Sequence, residues 1–149
     1  MKQLIIAFLM LILIPTMVAA DDVNNLRRSV KALYDALNNG DADKVVKYYL
    51  PEASQFPRTG KGLMPFFTST QQLKSLFDAG LKYQVKIRNL DAKTYGDSAV
   101  TTCYSTGFTT YPDGTVLEGA FRVSVMWIKD ATQWKITHGH ISRLQSTMQ

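Results

Sequence analysis

Two histidines and a single cysteine are the side chains here best suited to metal binding, nucleophilic attack or proton transfer near neutral pH. His138 and His140 stand two residues apart, and in a strand that spacing points both imidazoles the same way, toward one possible metal ion. Metal centres usually take three or four ligands, and no acidic residue or cysteine adjoins this pair. Structural or interface histidines are therefore expected, with no metal and no cofactor. Cys103 lies among Thr101, Thr102 and Tyr104, without a His, Lys or Arg within four positions. It reads as a small buried core residue rather than an activated thiol.

The composition narrows the function classes further. The chain has 149 residues, 46% hydrophobic and 19% charged, which suits one globular domain and not a disordered chain. Seventeen Lys and Arg oppose twelve Asp and Glu, yet no basic run exceeds the pair Arg27-Arg28. The footprint of a nucleic-acid binder is missing. One cysteine cannot form an intrachain disulfide.

The N-terminus reads as a separate object. Lys2 precedes the apolar run Leu4–Ile14, then Pro15, then the small residues of Val18-Ala19-Ala20. This is the tripartite pattern of a secretory signal peptide, with cleavage expected after Ala20 and export to a periplasm or the cell exterior. The alternative is an uncleaved membrane anchor, for which the run is short and is broken by Pro15. Residues 21–149 then make one domain that has no membrane association once the leader is removed.

The elements that must position any site follow from periodicity. Val23, Leu26, Val30, Leu33, Tyr34 and Leu37 follow an amphipathic helical spacing behind Asp21-Asp22, and Gly40 ends that helix. Asp41 caps a second helix that carries Ala42, Val45, Val46 and Tyr49 on one face and stops at Pro51. An irregular stretch or short strand from Glu52 to Thr68 leads to the capping box Ser69-x-x-Gln72 and a third helix with Leu73, Leu76 and Phe77. From Tyr83 the period becomes 2, and Tyr95-Gly96-Asp97, Tyr111-Pro-Asp-Gly114 and Asp130-Ala-Thr132 divide four antiparallel strands. The expected architecture is α+β, with three N-terminal helices packed on a strongly curved antiparallel sheet. Such a sheet leaves a cone with an open end suited to a small molecule.

Three segments carry a family resemblance: Ala36–Asp41, Tyr48–Ala53, and the closing strand Trp134–Ser142. With them the chain resembles the nuclear transport factor 2-like superfamily, nearest its SnoaL-like and kinase II association-domain groups. The resemblance implies a cone-shaped fold, a central pocket and frequent homodimers, but fold alone does not settle function. Ketosteroid isomerase is the enzyme pattern to check. Its oxyanion tyrosine would fall on Leu33, with Tyr34 one position out of phase, and its general base on Phe56 or Pro57. Its second oxyanion acid would lie between Phe121 and Ile128, where no carboxylate occurs. The arginines of the kinase association pocket would fall on Ser105, Val125 and Ile141, which implies a less acidic ligand.

Strand alternation supplies the candidate site. Phe121, Val123, Val125 and Trp127 are assigned to the cone interior, as are Thr137, Gly139 and Ile141 on the last strand. Leu33, Tyr34, Cys103 and Ser105 join them, and Tyr49, Phe56 and Arg58 border the opening. Met126, Trp134, Ile136, His138 and His140 fall on the convex face, whose apolar character suits a sheet-to-sheet homodimer. The leading reading is an exported small-ligand-binding or accessory protein with a mostly apolar pocket. A SnoaL-like isomerase, cyclase or hydrolase using Tyr34, Ser105 or Thr137 is the enzymatic alternative, and a structural homodimerisation module is the third.

Overall fold

A computed structural model describes residues 14–144 of the chain, with side chains from residue 21 onward. Most of the leader expected at residues 1–20, namely 1–13, lies outside the described residues. The first helix, α1, spans Ile14–Asn38, so the expected cleavage point falls within it. Leu26, Val30 and Leu33 repeat at helical spacing and are buried against the sheet. Asp21-Asp22 therefore lie inside the helix rather than at its positive end. Asp22 instead accepts from Lys129 Nζ at 2.7 and 2.9 Å, fastening the helix to the sheet. Gly40, at φ +66°, closes α1 as the Asp41 amide donates to the Ala36 carbonyl at 3.0 Å.

The second helix, α2 (Ala42–Val46), is capped by Asp41, whose carboxylate accepts from the Lys44 amide at 3.0 Å. It stops before the expected Tyr49, because Tyr49–Phe56 form a strand, β1. Pro51 thus sits inside a strand, where the register with the neighbour shifts between Tyr49 and Ser54. A proline lacks the amide needed for a regular ladder, and an interrupted register accommodates it. A short β2 (Met64–Pro65) follows, then α3 (Thr70–Asp78), capped by Ser69 accepting from the Gln72 amide at 3.3 Å.

Four long strands complete the chain: β3 (Lys82–Tyr95), β4 (Ser98–Thr110), β5 (Val116–Asp130) and β6 (Gln133–Arg143). The six strands form one sheet in the order β2-β1-β6-β5-β4-β3. All neighbours are antiparallel except β1, which runs parallel to β6, so the sheet is mixed rather than wholly antiparallel. Gly107 on β4 faces Gly119 on β5, and both hold positive φ. Two glycines opposite each other let the sheet bend sharply around the helices.

The core lies between the helices and the concave face. Trp127, Leu26, Leu73 and Ile136 are its largest inaccessible apolar side chains, and the Trp127 indole N–H donates to Thr101 Oγ1 at 2.8 Å. Trp134 is buried in the same cluster. This corrects the expected facing of β6. The β5–β6 register shifts between Met126 and Trp127, which pair with His138 and Ile136 and leave Thr137 as the extra residue of a bulge. A strict period of 2 fails across a bulge. Trp134 and Ile136 therefore face inward before it and Gly139 and Ile141 after it, while Thr137 is half-buried at the bulge itself.

Candidate functional site

The curved sheet and its helices enclose a cavity of about 230 Å³ that opens beside the segment joining β1 to β2. Each wall comes from a different element. Helix α1 contributes Leu33 and Tyr34, β4 contributes Thr101 and Cys103, and β5 contributes Val123, Val125 and Trp127. Ile141 of β6 and Tyr49 of β1 complete the expected lining, and Arg58 reaches in from the rim.

Five expected pocket residues take other places. Phe56 projects from the outer face, 41% exposed, where its ring meets His138 and His140 edge-on with centroids 5.7 and 5.6 Å away. Phe121 and Ser105 are paired across β4 and β5 and are fully buried beside the cavity rather than in its wall. Thr137 sits at the bulge. Gly139 is covered by Phe66, whose Cζ would stand 2.8 Å from a Cβ there, and Phe66 stacks on Tyr49 at 4.5 Å. Ile136, expected on the convex face, lines the cavity instead.

Sequence reasoning missed Tyr83, Tyr111 and Gln55, all of which line the cavity. Tyr83 was within reach, since it alternates with the polar residues of β3. Gln55 was not, because its position depends on β1 being a strand.

The electrostatics of this cavity run in one direction. Burial pushes the phenols of Tyr34, Tyr49, Tyr83 and Tyr111 above their ordinary range, and the thiol of Cys103 up to about 11. The Tyr34 hydroxyl neighbours Cys103 and Ser105, and Arg58 partly offsets the burial of all four phenols. Arg58 Nη1 donates to Thr109 Oγ1 at 2.8 Å, and its guanidinium lies 5.7 Å from the Tyr83 ring centroid and 5.2 Å from that of Phe121. Among the described residues no carboxylate lines the cavity. Its polar groups are hydroxyls, an amide, a thiol and cations, which can donate hydrogen bonds but do not take up a proton near neutral pH.

The histidines lie outside it. His138 is half-buried on the outer face, its Nδ1 3.0 Å from Ser54 Oγ, and His140 is exposed. Among the described residues no cluster of three or more His, Cys, Asp or Glu is placed to hold a metal ion.

A family model described as a SnoaL-like domain matches residues 26–146. The chain belongs to this SnoaL-like family. No curated protein matches it. Solved structures agree on the fold. An NTF2-like family protein from Streptomyces avermitilis with a suggested dehydratase activity superposes with a TM-score of 0.70 at 17% identity, covering 85% of this chain and 99% of its own. A ketosteroid isomerase-like protein from Erwinia carotovora atroseptica gives 0.62 at 18% identity, covering 84% and 98%. A suggested calcium/calmodulin-dependent protein kinase II association domain from Xanthomonas campestris gives 0.60 at 21% identity, covering 79% and 84%. At these identities the SnoaL-like chain shares their NTF2-like fold, and its chemistry has to be read from its own cavity.

Proposed function

We propose that this SnoaL-like protein is an exported, non-catalytic binder of a small organic ligand held in the cone. The observation that carries the reading is the cavity lining, in which four partly buried tyrosines and Cys103 are all driven toward their protonated forms and, among the described residues, no carboxylate stands with them. An isomerase or dehydratase needs a group that accepts a proton from substrate, within hydrogen-bond reach. Leu33 and Pro57, at positions where the ketosteroid isomerase pattern would place catalytic groups, contribute apolar wall here. At about 230 Å³ the cavity is smaller than the roughly 300–1,000 Å³ typical of drug-sized sites. The ligand is correspondingly small.

Export rests on the leader pattern of residues 1–20, and no described helix is long and apolar enough to cross a membrane. Homodimerisation rests on the outer face of the sheet, where Val100, Tyr104 and Met126 expose 37%, 41% and 51% of their surface and Phe56 is exposed as well. Their register places Val100, Met126 and His138 in one row across three strands. Native mass spectrometry of the protein from its own exported compartment tests the reading. A small non-covalent adduct on each protomer, on a chain beginning at Asp21, is the expected result. An adduct-free protein that also turns over a substrate would replace it with the enzymatic alternative.

A further inference from the structure

The cavity carries one feature that an apolar binding site does not require. Arg58 is half-buried, lies near the Tyr83 and Phe121 rings, and makes a single hydrogen bond among the described residues, through Nη1 to Thr109. No acidic side chain pairs with it among the described residues, and the other charged group in the lining is also a cation, Lys61. Partly buried guanidinium groups are normally matched by a carboxylate or a phosphate, because removing the charge from water is costly until a counter-charge is supplied. Here the protein supplies the donors and omits the acceptor. Tyr83 and Tyr111 face the same space, and neither hydroxyl is engaged in a hydrogen bond with another described residue.

We infer that the ligand of this cavity is a small apolar monocarboxylate, its carboxylate seated on the free edge of Arg58 and its hydrocarbon part lying against Val123, Val125 and Trp127. The inference rests on the ligand-binding reading above and adds the chemical class. The lining selects one negative charge rather than several, since Val123, Val125, Trp127, Ile136 and Ile141 make the sheet side of the cavity apolar and Arg58 is the cation that reaches into it. A guanidinium presents paired N–H groups in the spacing of a carboxylate, which a lysine does not.

The test compares matched probes by isothermal titration calorimetry at neutral pH: cinnamate against cinnamamide, and hexanoate against hexanamide. Each pair has nearly the same shape and differs in charge. The expected result is that at least one carboxylate binds about tenfold or more tightly than its amide, a ratio corresponding to about 1.4 kcal/mol. Arg58→Met, which keeps the apolar stem, is expected to erase that preference, bringing acid and amide of each pair to within about twofold of each other. Amides that bind as well as the acids, or a preference that survives in Arg58→Met, would overturn the carboxylate assignment and leave the pocket reading intact. Absence of binding by all four probes, with an adduct of another class in the native spectrum, would also overturn it. Absence of both binding and adduct would overturn the pocket reading itself. The wild-type comparison does not depend on how well the variant folds.

Discussion

Asn38, the last residue of α1, satisfies both backbone groups of Val85 on β3: its Nδ2 donates to the Val85 carbonyl at 2.8 Å and its Oδ1 accepts from the Val85 amide at 3.0 Å. Because β3 is the edge of the sheet, these are groups that no neighbouring strand would pair. One side-chain amide therefore stitches the end of the helix to the edge strand and holds one wall of the cone. Asn38→Ala is expected to cost about 1–3 kcal/mol in urea unfolding, because two partly buried backbone groups lose their partners. Asn38→Asp keeps the acceptor and loses the donor, so its midpoint should lie between those of the wild type and the alanine variant.

Cys103 and its neighbour Tyr34 make the stability of the fold fall at alkaline pH. Burial holds the Cys103 thiol protonated up to about 11, from an ordinary value of 9.0, and raises Tyr34 as well, with Cys103 adding to that rise. Between those limits the unfolded chain has released the thiol proton and the folded chain has not. The unfolded state then binds fewer protons, so unfolding free energy declines as pH rises through this window and is fully retained below it. Thermal unfolding from pH 8 to 11 should show the decline, and Cys103→Ala should flatten it by up to about 2–3 kcal/mol. An unchanged slope in that variant would assign the whole effect to the tyrosines. The same burial predicts slow alkylation of the native thiol, accelerating when the protein is unfolded.

What was legible in the sequence was legible where local rules act alone. The turns at Gly96 and Tyr111–Gly114 and the cap at Ser69 depend on a few adjacent residues, and all three stand as expected. Strands β4 and β6 match their expected bounds for the same reason. What failed depended on partners distant in sequence. Tyr49–Phe56 becomes a strand because the edge of β6 is available to it in parallel, and no periodicity in a segment interrupted by Pro51 announces that. The bulge at Thr137 reverses the facing of Trp134 and Ile136, and it exists only in the pairing with β5. In the cavity, the lining expected on β5 is present at Val123, Val125 and Trp127, whereas Tyr83 and Gln55 were missed with the walls they belong to. The significance of Arg58 depends on Thr109, Tyr83 and Phe121 converging on it from three strands.

The bend that closes the cone makes its own prediction. A Cβ at Gly107 would collide with the Gln84 carbonyl oxygen on β3, and φ at this position is +125°. Backbone cannot yield as a side chain can, so Gly107→Ala is expected to destabilise by about 3 kcal/mol or more, combining steric clash with a disfavoured φ. At Gly119 a Cβ would meet the guanidinium end of Arg143 at 2.9 Å, a group free to swing away. Gly119→Ala should therefore retain only the backbone penalty and lose less than Gly107→Ala in parallel urea titrations. Equal losses at the two sites would show that φ rather than the contact with β3 dominates the bend.

The reversed facing of β6 separates two sets of residues that strict alternation had merged into one dimer face. Ile136 and Trp134 are 2% exposed and packed beneath the helices, whereas Met126 and Tyr104 are open to solvent on the opposite side. Ile136→Ala should cost about 2–5 kcal/mol by leaving a cavity in the core, with any effect on association following from lost folding. Met126→Asp should do the reverse. It removes no buried contact within the protomer, so the melting temperature of the isolated chain should change little. A carboxylate repeated across a self-complementary face would, however, weaken an isologous dimer. Sedimentation velocity on the two variants reads both effects: a Met126→Asp protein that is folded but monomeric supports the outer-face dimer. Unchanged dimer mass at the same concentration would move the interface to another surface, and the outer-face row of Val100, Met126 and His138 would then need a different partner.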